Sequence, residues 1–246
     1  MTSALEKVIY PIYATVESTK LNGYNLYDRH IQLPEINDCY RYLLPFNIDH
    51  ENVEDWRGLS TKTLIVLMMN PSIANDHYGD PTTLKLLKEY YLQNVENQPK
   101  LHQLYEHIDL INVFPYVNSR KTKVKEWLND SNRTTTANYL KANQKIIQAL
   151  LQQITKQGKY DLLVATGNLN SYFEKEGTVQ YVNIMNIFNE EHNKNYLDKI
   201  LYKRINGKKS TGYACHLSVP GDKTFTVTRS PKPFADLFDE NYRLHI

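Results

Sequence analysis

The chain has 246 residues, 41% of them hydrophobic, and its 29 Lys plus Arg against 27 Asp plus Glu leave a formal net charge of only +2. That length fits one large α/β domain or two small ones. The near-neutral balance excludes a protein that coats nucleic acid by bulk charge, while leaving room for a local basic groove. No run of about 18 apolar residues is present, so no membrane span is expected. The opening Met1-Thr2-Ser3-Ala4-Leu5-Glu6-Lys7 lacks a basic stretch followed by an apolar core, so no secretion signal and a cytoplasmic location are expected. Cys39 and Cys215 lie far apart with no CxxC pattern, which fits two reduced thiols.

In chain order, residues 1 to about 35 are polar and tyrosine-rich and read as a helix followed by a loop. A strand is expected at 39–44, then a charged loop at 47–62. The run Leu64-Ile65-Val66-Leu67-Met68-Met69 predicts a strand over 63–69. Asp80-Pro81 opens a helix whose apolar face holds Leu84, Leu86, Leu87, Tyr90 and Tyr91. A second buried strand is expected at 108–113, a short helix at 124–128, and a longer one over roughly 133–155 with Leu140, Ile146, Ile147, Leu150 and Leu151 on one side. Gly158 stops that helix, and a third buried strand follows at 160–166. Residues 168–176 read as helical, and 181–185 as a strand. Segments 200–205 and 213–217 flank Asn206-Gly207-Lys208-Lys209, a hairpin signal, and 224–228 reads as a last strand. No repeat or linker stands out, so a single domain over 1–246 is expected. Residues 1–37 form an N-terminal extension and 181–219 an insertion or hairpin.

Three of these strands end alike. Leu64 to Met69 runs into Asn70-Pro71-Ser72, Ile108-Asp109-Leu110-Ile111 into Asn112, and Leu162-Leu163-Val164-Ala165-Thr166 into Gly167-Asn168. Strands apolar throughout belong to a parallel sheet covered on both faces. Open α/β sheets hold their ligands outside the carboxyl ends of such strands, so the three endings imply one shared cleft. Asn70 or Asn112 alone is equally well a turn residue; together, two carboxamides place donors and acceptors where a nucleobase edge can be read. Gly79-Asp80-Pro81-Thr82-Thr83 is a helix cap whose amides and hydroxyls also suit a phosphate. There is no GxGxxG and no Walker A loop. His102 and His107 stand five apart, which suits neither zinc helix motif. No metal and no cofactor are therefore expected. A small-molecule hydrolase has least support, because no nucleophile–base pair with recognisable spacing is found.

The combination Met68-Met69-Asn70-Pro71-Ser72-Ile73-Ala74, Gly79-Asp80-Pro81-Thr82 and Ile111-Asn112-Val113-Phe114-Pro115-Tyr116 resembles an uncharacterised bacterial family often carried on mobile elements. That family has the pattern Met-Leu-Asn-Pro-Ser-Thr-Ala-Asp, Asp-Asp-Pro-Thr, Val-Asn-Leu-Phe, and the resemblance covers roughly 38–175. In motif order it is in turn similar to the uracil-DNA glycosylase superfamily. Met69-Asn70-Pro71-Ser72 resembles the water-positioning loop, Asp80-Pro81-Thr82-Thr83 the loop that pinches the DNA backbone, and Leu110-Ile111-Asn112 the strand whose Asn reads the uracil edge. Thr228-Arg229-Ser230-Pro231-Lys232 falls where that superfamily inserts a loop into the minor groove. There are departures. Asn70 replaces the catalytic aspartate, Thr228 the histidine, Ser72 the tyrosine that excludes thymine, and Lys232 the wedge leucine. The stacking aromatic is to be sought at His77 or Tyr78.

The resemblance implies a three-layer α/β/α domain around a central, mostly parallel sheet. It also implies DNA, single- or double-stranded, as ligand, with an extruded base. On that basis Asn70 and Thr228 are the catalytic candidates, and Asn112, Met69, Ser72 and Tyr78 line the base pocket. Thr82, Arg229, Ser230 and Lys232 touch the DNA backbone. The loss of the aspartate and the histidine favours a binder of DNA, or a target of DNA-mimicking glycosylase inhibitors, with weak or absent uracil excision. The alternative is an active glycosylase using a water positioned by Asn70.

Overall fold

A computed structural model describes residues 9–11, 24–26, 29–31, 40–48, 62–71, 105, 107–118, 120–129, 133–169, 175–202, 212–216, 226–227 and 233–244. Its strands are β1 (Ile9–Pro11), β2 (Tyr24–Leu26), β3 (Arg29–Ile31), β4 (Leu43–Ile48), β5 (Thr63–Met68), β6 (His107–Asn112), β7 (Tyr160–Val164), β8 (Leu197–Tyr202) and β9 (Thr226–Val227). Its helices are α1 (Lys121–Leu128), α2 (Arg133–Gln157), α3 (Lys175–Asn189), α4 (Glu191–Tyr196) and α5 (Pro233–Leu237).

Seven strands form one sheet in the order β1-β4-β6-β5-β7-β8-β9, while β2 and β3 pair separately. The centre, β6-β5-β7-β8, is all parallel, and β1, β4 and β9 flank it antiparallel. Every residue of β5 is buried, as expected of a strand covered on both faces. Register fixes which side chains share a face. Ile65 pairs with Asp109 and Leu162, and Leu67 with Ile111 and Val164. The apolar members of this row pack with Ile147, Leu150, Leu151 and Ile154 of α2 and with Tyr181, Ile184, Met185 and Phe188 of α3. The alternate row, Leu64, Val66, Met68, Leu110 and Leu163, is equally buried and points to the opposite face. The chain therefore has an α/β fold, with helices α2 and α3 against one face of the sheet. The helix read at Asp80 to Tyr91 lies outside the described residues.

The amino edge of the parallel block is closed by an ionic network around the buried Asp161. Lys62, just before β5, puts its Nζ 2.6 Å from both Asp161 Oδ1 on β7 and Asp198 Oδ2 on β8. The Asp161 contact is an ion pair without the alignment of a hydrogen bond. The Tyr105 hydroxyl, just before β6, donates to Asp161 Oδ2 at 2.6 Å. A hydrogen bond from Lys62 holds the Asp198 carboxyl below the usual carboxylate range, against the opposing effect of its partial burial. Burial first, then the Asp161 charge and hydrogen bond, push the Tyr105 phenol well above the ordinary range.

Several expectations need correction. Residues 181–185 are helical, not a strand: Tyr181, Ile184, Met185 and Phe188 recur at the helical spacing and face the core. Residues 200–205 and 213–217 do not form a hairpin with each other among the described residues. β8 pairs with β7 and β9, and 212–216 is irregular backbone. Residues 168–169 are not helical, since α3 begins at Lys175. The described parts of the first 35 residues are the short strands β1, β2 and β3, not a helix. Residues 47–48 belong to β4, not to a loop.

Candidate functional site

Asn112 is the last residue of β6 and pairs in register with Met68, the last of β5. The segments beyond both strands stay paired, the Val113 amide donating to Met68 O at 2.8 Å and the Phe114 amide to Met69 O at 2.9 Å. On the other side of β5 the Ala165 amide, just past β7, donates to Leu67 O at 2.8 Å. Asn70, Asn112 and Thr166-Gly167 thus stand at one carboxyl edge. The chain leaves β5 for β6 on one side and then crosses to β7 on the other, so β5 is the topological switch point, where open α/β sheets take ligands.

The Asn70 side chain is oriented by its neighbours. Its amide group donates to Asn118 O at 2.5 Å and to Pro71 O at 3.3 Å, and the Asn118 amide returns a bond to Pro71 O at 3.0 Å. Two N–H groups are all a carboxamide nitrogen has, so the carbonyl end of Asn70 is left to accept. Asn118 Oδ1 in turn accepts from the Arg120 amide at 2.9 Å, the two-residue side-chain turn typical of Asn.

Asn112 is buried, and among the described residues its Oδ1 meets no hydrogen-bond donor. The end of β6 is otherwise well served. Asn143 on α2, fully buried, donates to Asn112 O at 2.8 Å and Val113 O at 3.2 Å, and Gln180 on α3 donates to Val113 O at 3.4 Å. The Asn143 Oδ1 is likewise without a donor among the described residues.

Gly167 closes the third ending. Its φ of +73° lies in the left-handed region, its amide donates to Ala214 O at 2.9 Å, and a Cβ there would stand 3.1 Å from the His216 Cβ. Both the conformation and the close approach require glycine. Gly167→Ala is expected to cost roughly 1–3 kcal/mol, read as a lowered urea midpoint; a change below about 0.5 kcal/mol would contradict this account.

Of the expected site residues, Asn70 and Asn112 come together at this edge. Met69 is buried in the core cluster with Leu67 and Val113. Ser72, His77, Tyr78, Thr82, Thr228, Arg229, Ser230 and Lys232 lie outside the described residues. Sequence reasoning missed Asn118, Asn143 and His216. Asn143 had a signal: it stands on the apolar stripe of α2 between Leu140 and Ile147, where a polar residue asks for a reason. Asn118 and His216 had none, because the backbone contacts they make are long-range. Among the described residues no cluster of three or more metal-ligating side chains occurs, and no helix is long and apolar enough to cross a membrane.

No curated protein and no solved structure matches the chain. A family model described as "Protein of unknown function (DUF1643)" matches residues 54–216, which take in β5 through β8 and the whole carboxyl edge, and the chain belongs to that family.

Proposed function

We propose that the carboxyl edge of β5, β6 and β7 is a nucleobase cleft and that the protein binds DNA through it, with ordinary uracil excision weak or absent. One observation carries this reading: among the described residues the buried Asn112 carboxamide oxygen has no donor. A buried acceptor left unmet costs about 1–3 kcal/mol, and a ligand presenting an N–H removes that cost. A pyrimidine such as uracil offers one N–H between two carbonyls, the complement of a carboxamide edge. The resemblance of Asn70-Pro71-Ser72 and Leu110-Ile111-Asn112 to uracil-DNA glycosylase motifs supports the same ligand. It also brings DNA-mimicking glycosylase inhibitors and mobile-element proteins within the range of partners.

Weak excision follows from Asn70. A carboxamide cannot take a proton or balance a developing positive charge, and losing a positioned general base costs ~10²–10⁴-fold in rate. A second reading has its own support. With both Asn70 N–H groups engaged by Asn118 O and Pro71 O, its carbonyl end is aimed by the loop and can accept from an attacking water, as an active glycosylase needs.

The test uses labelled oligonucleotides carrying one uracil, single- and double-stranded, incubated with stoichiometric protein and then treated with hot alkali. The expected result is no scission. A preference for uracil-bearing over control strands is also expected, and Asn112→Ala should weaken it about tenfold, the worth of one buried hydrogen bond. Scission abolished by both Asn70→Ala and Asn112→Ala would establish the second reading. Equal binding by wild type and Asn112→Ala would remove the cleft altogether.

A further inference from the structure

Tyr42 carries a polar atom that the fold does not use. It is 1% exposed, and among the described residues its hydroxyl has no hydrogen-bond partner. A buried tyrosine usually finds one, and phenylalanine would fill the same space without leaving a hydroxyl unmet. Burial first, and then the neighbouring phenols of Tyr139 and Tyr40, push its ionisation well above the ordinary range. The group therefore stays a hydroxyl, with a proton to donate.

Register sets this ring beside Asn112. β4 and β6 run antiparallel, and Leu43, the first residue of β4, pairs with Ile111. One step on, Tyr42 stands opposite Asn112. Past a bend at Val113-Phe114 the two segments are tied again, the Arg41 amide donating to Pro115 O at 2.8 Å. Opposite residues of an antiparallel pair share a face, with Cβ atoms about 4.5–5.5 Å apart. Leu43 and Ile111 pack in the cluster with α2 and α3, so Tyr42 and Asn112, one residue along each strand, point to the other face. Met68 pairs with Asn112 from β5 and extends the row. The row thus holds two buried polar atoms of opposite character, a hydroxyl that donates and a carboxamide oxygen that only accepts. They do not bond to each other, so both are left for a third group.

We propose that Tyr42 is a second base-reading residue, its hydroxyl donating to a pyrimidine carbonyl while Asn112 Oδ1 accepts from the adjacent ring N–H. Uracil carries a carbonyl on each side of that N–H, so one edge meets both atoms. Cytosine presents a bare ring nitrogen in the same place, which would face the Asn112 oxygen lone pair to lone pair. The two side chains together select the imide edge. This assignment rests on the cleft reading above and supplies the second contact that the reading lacks.

The test is competition titration of the full chain, followed by fluorescence anisotropy. The probes are a thymine-free single strand carrying one uracil and the same strand with cytosine in its place. Tyr42→Phe removes one oxygen and keeps the ring. It is expected to weaken the uracil strand about threefold to tenfold, the worth of one hydrogen bond. The cytosine strand should stay within about twofold, and the urea midpoint should match wild type. Exchange of uracil for 2-thiouracil or 4-thiouracil replaces one carbonyl oxygen by sulfur, a poorer acceptor. One of the two exchanges should weaken wild type and leave Tyr42→Phe unaffected. Unchanged uracil affinity in Tyr42→Phe, an equal loss on both strands, a lowered urea midpoint, or a sulfur effect that persists in the variant would each overturn the role of Tyr42. If Asn112→Ala still abolished the uracil preference, the cleft reading would survive that failure. Wild type that does not prefer uracil over cytosine would overturn the cleft reading, and the role of Tyr42 with it.

Discussion

Lys62→Met is expected to destabilise the protein by about 3–5 kcal/mol, because it leaves the Asp161 carboxylate buried with its charge unbalanced. Asp161 is 1% exposed, and its partners are Lys62 at 2.6 Å and the Tyr105 hydroxyl at 2.6 Å. A hydroxyl can donate one bond but carries no charge, so Tyr105 cannot take over. The double variant Lys62→Met/Asp161→Asn should regain most of the loss, since removing both charges removes the desolvation penalty with them. Urea denaturation of wild type, both single variants and the double variant reads this directly. A single-variant loss under about 1 kcal/mol, the range of exposed pairs, would mean that water screens the site.

The second large effect is alkaline unfolding. Burial pushes the phenols of Tyr42, Tyr105, Tyr160 and Tyr181 well above their ordinary range. The folded state thus disfavours the phenolate, and the stability this represents is complete below the unfolded value near pH 10 and is lost as pH rises from there toward the folded values. Each such phenol contributes a slope of about 1.4 kcal/mol per pH unit, so four together contribute about 5. A stability of 5–15 kcal/mol is then exhausted within roughly one to three units above pH 10. Phenolate absorbance followed alongside circular dichroism should show the phenols of Tyr42, Tyr105, Tyr160 and Tyr181 titrating together with unfolding. A single tyrosine transition with helix content retained would contradict the burial argument. Tyr42 adds a local detail, for among the described residues its buried hydroxyl has no hydrogen-bond partner and Tyr42→Phe should cost little.

The sheet was legible because its central strands are contiguous apolar runs, and such a run admits few readings once turn residues bound it. The shared carboxyl edge was legible for the same reason: Asn70 and Asn112 stand out only as the first polar residues after Met69 and Ile111. α2 was read nearly to its ends from its apolar stripe and Gly158, whose φ of +149° and amide bond to Ile154 O at 3.1 Å match a helix stop. What misled was the short window. Tyr181-Val182-Asn183-Ile184-Met185 resembles a strand over five residues, and Phe188 is needed to show the helical period. Turn chemistry at Asn206-Gly207 is local, whereas the partners of β8 are chosen by the whole sheet. β1, β2 and β3, three residues each, are too short for any period to show. The Lys62, Tyr105, Asp161 and Asp198 network has no spacing to read, because its members come from four places in the chain.

That same network bears on how the chain comes together. Lys62 and Asp198 are 136 residues apart, and Tyr105 and Asp161 are 56 apart. β5 pairs with β6 and β7, and β8 completes the block only at residues 197–202. Such non-local pairing makes folding slow. Until β8 arrives, β7, buried along its whole length in the finished protein, has an unpaired apolar edge, a template onto which another chain can add a strand. A chain halted on the ribosome before Leu197 therefore carries the aggregation hazard that the completed sheet buries.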